Sequence, residues 1–211
     1  TIIFQTNQNE QHGGQSIPAF DFYMAKGVLK SFRRHLKKRI LSFLKIKNEI
    51  EEKTSDNVKV TIEDSNLSRR YVTRILKNVT VKESPKWLKE RIESVGLRSI
   101  NNIVDVSNFI LMEMNHPNHV FDLDKIEGNE IKVKSAVKGD KLVTLDEQER
   151  ELEDGDIVIC DSKKILALGG VMGGLDSEVT DNTKNILLEV AHFNSQNVRK
   201  TSRRLTLSSD S

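Results

Sequence analysis

The chain has 211 residues, with 33 lysine and arginine residues against 31 aspartate and glutamate residues, a formal net charge of +2 and 36 % hydrophobic residues. A chain of this length buries enough surface to fold around an ordinary core, so a disulfide or metal staple is not required. The balanced charge argues against a protein that coats DNA, although it allows a local basic surface. Its single cysteine, Cys160, excludes an intrachain disulfide and favours a reducing compartment, so we expect a cytoplasmic protein.

No run approaches the roughly 18 apolar residues of a membrane-spanning helix, and the first residues become polar too early for a secretory signal. The chain starts at Thr1 without a methionine and stops at Ser211 without an obvious terminating element. We therefore expect a soluble segment taken from a longer protein.

Residues 1–57 differ in composition from the rest of the chain. Residues 5–17 are polar with paired glycines and predict a flexible lead-in. Residues 22–47 carry nine basic side chains and no acidic one, and their apolar residues recur at helical spacing, which predicts a basic amphipathic helix. Its charges could neutralise RNA phosphates or form a solvated surface, and the sequence leaves both interpretations open. Acidic and polar residues then form a linker up to residue 57.

From residue 58 the pattern becomes that of an α+β domain. Alternating or β-branched runs are typical of strands. Strands are predicted at 58–62, 71–81, 130–136, 141–145, 156–160, 165–168 and 185–191, and a basic closing helix at 194–205.

Two further helices are predicted from their end signals. Ser84 and Pro85 begin a helix over 85–95, which Gly96 ends. Its expected buried residues are Trp87, Leu88, Ile92 and Val95. A second helix fits 102–114, with Asn115 as its left-handed cap and Pro117 beyond it.

Potential metal ligands stand at every third position of one segment, namely Glu113, His116, His119 and Asp122. On a continuous helix they could form a metal site. Pro117 interrupts the helix that would align them, so the sequence predicts no metal here. A histidine in a loop after a helix is more often a hydrogen-bonding group or part of a substrate pocket.

Four glycines follow the strand predicted at 165–168, at positions 169, 170, 173 and 174. The segment lacks the lysine and hydroxyl residue of a phosphate-binding loop and the spacing of a dinucleotide fingerprint, so a nucleotide site is not expected. The glycine pairs allow either close approach of the backbone to a ligand or tight packing of crossing strands.

Glu189 lies within an otherwise apolar strand. Because burying an unpaired charge is costly, its carboxylate points either to a sheet edge or into a polar pocket. The edge is the commoner arrangement, and composition alone does not decide between them.

Several motifs occur in a familiar order: RRYVTRILKNVTV, SPKWLKERIESVGLRSINNIVDVSNFILMEMNHPNHVFDLDKIEG, KLVTLDEQERELEDGDIVICD, ILALGGVMGGLDSEVTDNTKNILLEVAHF and VRKTSRRLTLSSDS. Through them, residues 58–211 resemble the tRNA-editing domain of the bacterial-type phenylalanyl-tRNA synthetase β subunit. The resemblance implies an α+β module around a mixed, barrel-like β-sheet with flanking helices. It also implies hydrolysis of tyrosine wrongly attached to the tRNA for phenylalanine.

The resemblance assigns site residues by matching motifs. Asn108 and His119 match the family's asparagine and histidine, and Ser107 replaces a threonine, so these three are the expected catalytic residues. The expected substrate-binding residues are Glu189, Gly169, Gly170, Ser209 and Ser211. Glu189 would accept the phenolic O–H while the backbone N–H groups of both glycines face that oxygen, and phenylalanine would leave the carboxylate unpaired. We expect His119, Ser107, Asn108, Gly170 and Glu189 to converge on one pocket.

Three residues depart from the family's pattern. Asn115 and His116 replace a Gly-Gln pair, and Glu147 replaces the glycine of a turn. Asparagine tolerates the left-handed conformation, so the first turn can survive. His116 beside the pocket could alter the rate or the substrate preference.

The resemblance implies no cofactor or metal for this segment, with ATP and Mg²⁺ needed only by the complete synthetase. It implies tRNA, the α subunit and the rest of the β subunit as partners, with no membrane and no DNA. A non-catalytic structural or tRNA-binding module of the β subunit is the alternative. An unrelated DNA-binding domain has less support, because the basic segment lacks a recognisable turn and reading helix.

Overall fold

The computed structural model describes residues 54–207, which belong to one compact unit. The predicted lead-in and basic helix, and the candidate residues Ser209 and Ser211, lie outside the described residues. The elements are, in chain order, α1 Thr54–Asn57, β1 Lys59–Ile62, β2 Ser68–Leu76, α2 Lys86–Ser94, α3 Asn102–Met114, β3 His119–Asp122, β4 Glu130–Ser135, β5 Lys141–Val143, β6 Glu149–Glu151, β7 Ile157–Cys160, β8 Ile165–Leu168, β9 Met172–Gly173, β10 Ile186–Phe193 and α4 Ser195–Leu205. Short 3₁₀ turns lie at Leu123–Lys125, Glu127–Asn129 and Leu175–Ser177.

Within residues 54–207 the strands form three sheets, and none of these sheets closes into a barrel. The largest has the order β1-β4-β7-β8-β9, with β1 and β4 parallel and the other neighbours antiparallel. The α+β class with a mixed sheet is therefore confirmed. Strands β5 and β6 form a separate two-stranded sheet.

Strand β7 lies in the middle of the large sheet, and all four of its side chains are buried. Its alternating residues enter two hydrophobic clusters. Ile157 and Ile159 pack with Phe121 and Leu187 in the first cluster, whereas Val158 and Cys160 belong to the second. An apolar run without polar alternation is typical of a strand covered on both faces, as here.

The three-stranded sheet has the order β2-β10-β3, with β10 antiparallel to both neighbours. The central strand is therefore hydrogen-bonded along both of its sides. This sheet carries His119 on β3 and Glu189 on β10, two of the expected site residues.

Helix α3 has the predicted bounds, whereas α2 spans Lys86–Ser94 instead of 85–95 and Ser84 does not cap it, because the Ser84 hydroxyl donates to Asp105. The side chain of Asn101 accepts hydrogen bonds from the backbone N–H groups of Ile103 and Val104 at 3.1 and 3.0 Å. Asn115 ends α3 in the left-handed conformation, with φ 51° and ψ 45°. The expected turn therefore survives without the family's glycine.

The predicted burial of α2 is correct for two residues and wrong for two. Leu88 and Ile92 are buried, whereas Trp87 and Val95 are 52 % and 45 % exposed. Trp87 makes an edge contact with Phe109 of α3, at a centroid distance of 5.9 Å, and its outer surface is not covered by the described residues. The helical spacing identified an apolar stripe that is wider than the surface the partner helix covers.

A buried carboxylate joins the helix pair to the loops that enter it. Asp105 of α3 is fully buried and accepts hydrogen bonds from the hydroxyls of Ser84 and Ser99 and from the backbone N–H of Ile100. Three donors from two separate loops thus compensate for the burial of one charge.

Among residues 54–207, no helix is long and apolar enough to cross a membrane.

Candidate functional site

A cavity of about 570 Å³ opens between the three-stranded sheet, the turn after β8 and helix α4. Its volume is that of a small-molecule pocket. Apolar side chains form much of its wall, including Ala167, Leu168, Val171, Ala191, Phe193 and Val198. Polar groups from three segments complete it: Asn118 and His119, Glu189, and Arg199 with its neighbours on α4.

Glu189 lies in the wall of this cavity. It is 5 % exposed and belongs to the central strand β10, where it is paired with Thr73 on one side and His119 on the other. The edge interpretation of this glutamate is therefore wrong, and the pocket interpretation is correct. Glu189 Oε2 is buried and has no hydrogen-bond partner within the described residues.

Burial raises the pKa of Glu189 to about 7, because a charged carboxylate is poorly solvated there. The hydroxyl of Tyr71 opposes this rise. The two groups interact without an ordinary hydrogen bond, since Tyr71 Oη also has no partner among the described residues. At neutral pH the carboxyl group is thus divided between its ionised and neutral forms.

His119 begins β3, where it is paired with Glu189 of β10. Its ring makes an edge contact with Phe121, with centroids 4.5 Å apart. The Nε2 atom is buried without a hydrogen-bond partner in the described part of the chain, and burial lowers the pKa of the imidazole to about 4. His119 is therefore neutral at physiological pH, with a nitrogen free for a water molecule or a substrate atom.

Gly173 makes room for this imidazole. A Cβ atom at position 173 would lie 2.5 Å from His119 Cε1 and 2.7 Å from Nε2. At Gly174 a Cβ would instead meet the carbonyl oxygen of Leu166 at 2.5 Å. Gly174 therefore fits the interpretation of tight strand packing, while Gly173 makes room for a side chain of the cavity wall. Close approach of the glycine backbone to a ligand stays a prediction.

The two glycines assigned to the substrate pocket differ from each other. Gly170 lines the cavity with a φ of +71°, and its N–H has no hydrogen-bond acceptor within residues 54–207. The N–H of Gly169 instead donates to the carbonyl of Ile157 at 2.8 Å. The expectation that both N–H groups face a substrate oxygen is therefore wrong for Gly169, because a β-sheet bond already uses its N–H.

The predicted convergence of five residues holds for three of them. Glu189, His119 and Gly170 line the cavity, whereas Ser107 and Asn108 do not. Ser107 reaches the site through another residue, because its hydroxyl donates to Asn118 Oδ1 at 2.8 Å and its carbonyl accepts from Asn118 Nδ2 at 3.1 Å. Asn118 lines the cavity next to His119.

Sequence reasoning missed Asn118, Arg199 and Tyr71. For Tyr71 the period of two along β2 is a usable signal, but only once its pairing with β10 is known. His116, flagged as a departure, does lie on the wall of the cavity and is exposed.

The histidine and carboxylate segment that resembles a metal site does not gather into one. Within residues 54–207, no three histidine, cysteine, aspartate or glutamate side chains are placed to hold a metal ion. Helix α3 ends before Pro117, and Asp122 is buried against the hydroxyl of Thr183 at 2.6 Å. Cys160 is also buried, and burial raises the pKa of its thiol to about 11, so little of it is a reactive thiolate.

The opposite pKa shifts of the paired residues predict an unusual pH dependence of stability. The lowered pKa of His119 gives stability that is present above pH 6.5 and lost as the pH falls towards 4. The raised pKa of Glu189 gives stability that is present below pH 4.5 and lost as the pH rises through 7. Between pH 4.5 and 6.5 the contribution of His119 rises with pH while that of Glu189 falls, so the two changes in stability cancel.

Substituting one of the two residues should reveal the pH dependence of stability that the other contributes. Relative to the unchanged chain, the free energy of unfolding of Glu189→Gln should rise by roughly 1 kcal/mol per pH unit from pH 4.5 to 6.5, and that of His119→Asn should fall by a similar amount. Urea unfolding followed by circular dichroism at three pH values measures both slopes. Parallel curves for all three proteins would contradict the shifts.

These features define an α+β domain with a cavity whose wall contains a buried carboxyl group and a neutral imidazole. The chain belongs to the B3/4 domain family, whose model matches residues 67–211. It is 49 % identical over 160 residues to the phenylalanine–tRNA ligase β subunit of Fusobacterium nucleatum, covering 76 % of this chain and 20 % of that protein. It is 47 % identical over 152 residues to that of Thermotoga maritima, covering 72 % of this chain and 19 % of that protein.

A solved structure supports the fold assignment. An N-terminal fragment of the phenylalanyl-tRNA synthetase β subunit from Pyrococcus horikoshii matches with a TM-score of 0.50 at 19 % identity, covering 67 % of this chain and 45 % of that one. The resemblance to the synthetase β subunit is thus confirmed. The chain spans about a fifth of the length of these curated relatives.

Proposed function

We propose that the cavity is an editing site that hydrolyses the ester bond between tyrosine and the tRNA for phenylalanine. The observation that carries this proposal is Glu189, a buried carboxyl group with an unpaired oxygen in the wall of a largely apolar cavity. An apolar wall with one polar group is suited to the ring and hydroxyl of tyrosine.

Selection against phenylalanine follows from the cost of an unpaired buried group. Tyrosine exceeds phenylalanine by one hydroxyl, which can donate to the ionised Glu189 or accept from its neutral form. Phenylalanine can do neither, so its binding would leave the carboxyl group desolvated and unpaired. The ionised form holds the phenol more strongly, since hydrogen bonds to charged groups are about twice as strong.

The remaining groups serve the ester end of the substrate. Hydrolysis adds a water oxygen to the aminoacyl carbonyl, breaks the bond from that carbonyl to the ribose oxygen and releases tyrosine and tRNA. The neutral His119 can hold the attacking water, and the free N–H of Gly170 can donate to a substrate oxygen. Ser107 orients Asn118 beside them, and Asn108 keeps its assignment by motif alone.

The tRNA would approach over helix α4. Arg199 lines the cavity, and Lys200 and Arg203 follow it on the same helix. These charges can contact the phosphates of the acceptor end. In this proposal the domain works in the cytoplasm within a complete ligase, whose α subunit and remaining β subunit supply the ATP- and Mg²⁺-dependent charging reaction.

The direct test is deacylation by the complete synthetase that contains this chain. We expect it to hydrolyse tyrosyl-tRNA much faster than phenylalanyl-tRNA. His119→Ala should slow the tyrosyl reaction by about tenfold, less than the loss of a dedicated general base, because an aminoacyl ester is already activated. Lys138→Ala is the control, since Lys138 is an exposed residue that does not line the cavity, and it should leave the rate unchanged.

Absence of tyrosyl-tRNA deacylation in the unchanged enzyme would reject the editing proposal. It would favour the alternative, a structural or tRNA-binding module of the β subunit. That alternative would then be supported if the unchanged enzyme binds tRNA and the Arg199→Ala variant binds it more weakly.

A further inference from the structure

Tyr71 of β2 is a buried tyrosine that is not part of the cavity wall. Its side chain is 8 % exposed, and its ring makes an edge contact with Phe193 at a centroid distance of 6.3 Å. The hydroxyl is buried and has no hydrogen-bond partner in the described part of the chain. Leaving a buried hydroxyl unpaired costs free energy, so such a group in a functional site calls for an explanation.

The strand register explains how Tyr71 reaches Glu189. Tyr71 on β2 is paired with Ala191 on β10, which is two residues beyond Glu189 and on the same face of the sheet. A diagonal neighbour on an adjacent strand is within reach of an aromatic side chain. The small side chain of Ala191 leaves this diagonal open. The two groups consequently affect each other. Burial raises the pKa of Tyr71 and Glu189 raises it further, while burial raises the pKa of Glu189 and the Tyr71 hydroxyl opposes that rise.

We propose that Tyr71 is a positioning residue for the editing site, whose hydroxyl, unpaired in this structure, would donate to one oxygen of Glu189 when substrate binds and leave the other oxygen for the phenol of the substrate. This inference rests on the proposed editing function. A carboxylate has two oxygens, so it can accept from the protein on one and from tyrosine on the other. Tyr71 also keeps more of Glu189 in the ionised form, which binds the phenol more strongly.

The other ionisable groups that line the cavity are three histidines and Arg199. His119 on β3 is neutral and turned towards Gly173 and Phe121, His116 and His192 are exposed at the cavity, and Arg199 lies on α4. Among the groups that affect the Glu189 carboxyl, the Tyr71 hydroxyl is the one that favours ionisation.

The test compares Tyr71→Phe with Thr73→Val, a control variant that also loses one hydroxyl. Tyr71→Phe keeps the ring and its contact with Phe193. Thr73→Val removes a hydroxyl from the same strand, at the position directly paired with Glu189. Deacylation of tyrosyl-tRNA by the complete synthetase is measured from pH 5.5 to 8.5, with the uncatalysed rate subtracted.

We expect the rate of the unchanged enzyme to rise with the ionisation of Glu189. In Tyr71→Phe the midpoint should move upward by at least about half a pH unit, which is roughly a threefold loss at pH 6.5 that shrinks as the pH rises. Thr73→Val should leave the midpoint unchanged. A loss of rate in Tyr71→Phe that is equal at every pH would indicate only a structural role and overturn the inference. An unchanged pH profile in Tyr71→Phe, or an equal shift of the midpoint in Thr73→Val, would also overturn it.

A second measurement separates this inference from the proposed function. The carboxyl resonance of Glu189 can be followed in the chain labelled with ¹³C at the glutamate carboxyl, and Glu189→Gln identifies the signal. Its titration midpoint should be higher in Tyr71→Phe than in the unchanged chain. If the enzyme does not deacylate tyrosyl-tRNA, the editing function is wrong, and the titration still decides whether Tyr71 controls Glu189.

Discussion

Glu189→Ala in the complete synthetase is expected to slow tyrosyl-tRNA deacylation by roughly ten- to a hundredfold while phenylalanylation continues at nearly its normal rate. The substitution removes the group proposed to bind the one hydroxyl that distinguishes the two amino acids. The loss corresponds to about 1.5–3 kcal/mol, the contribution of a hydrogen bond to a charged group. Charging should be spared because, in our proposal, activation takes place outside this chain.

The two rates are measured side by side on the same preparation. Glu189→Gln should fall between the unchanged enzyme and Glu189→Ala, because an amide of the same size keeps a neutral hydrogen bond to the phenol. Glu113→Ala removes an exposed carboxylate from α3 and serves as the control for charge. An unchanged hydrolysis rate in Glu189→Ala, or an equal loss of hydrolysis and charging, means that Glu189 does not select tyrosine.

Asp105→Ala is expected to lower the free energy of unfolding by about 3–4 kcal/mol. The substitution removes the acceptor of three hydrogen bonds and leaves the donors of Ser84, Ser99 and Ile100 without it. Asp105→Asn should cost less, since the amide oxygen can still accept and the serine hydroxyls can rotate to accept from the amide nitrogen.

Urea unfolding of the chain followed by circular dichroism measures both changes. Asp176→Ala is the control, because Asp176 is an exposed carboxylate whose ion pair with Lys164 spans 3.8 Å. Exposed pairs contribute about 0–1 kcal/mol, so this variant should unfold almost as the unchanged chain does. Equal losses in Asp105→Ala and Asp176→Ala would show that the buried bonds of Asp105 add little net stability.

Local signals predicted much of the fold because they act within a few residues. Helix α3 was predicted over 102–114 and runs over Asn102–Met114, since its cap residues Asn101 and Asn115 determine both ends. Strand β8 was likewise predicted at its observed bounds. Strands β3, β6 and β9 were missed, because β3 has only four residues, β6 is a charged Glu-Arg-Glu segment and β9 has two residues, so none contains a full alternating pattern. His119, which was expected in a loop, therefore begins a strand.

The site was harder to predict because it depends on pairing between distant strands. The motif match identified Glu189, His119 and Gly170, which line the cavity. Local sequence could not reveal that β10 would be central, which is why the carboxylate of Glu189 first suggested an edge. Nor could it show that the N–H of Gly169 is bonded to Ile157, since that contact depends on how β7 and β8 meet.

Because β10 is a central strand, the insertion or deletion of a single residue within it would change which side chains line the cavity. Side chains alternate between the two faces of a strand, so deleting one residue from β10 upstream of Glu189 would turn the carboxyl group towards the opposite face and bring an aliphatic neighbour into the cavity. Strands on both sides hold β10 in place, so the mismatch could not be absorbed by sliding along a free edge. Natural variation in this strand should therefore consist of exchanges of one residue for another, with gains and losses of length confined to the connections around it.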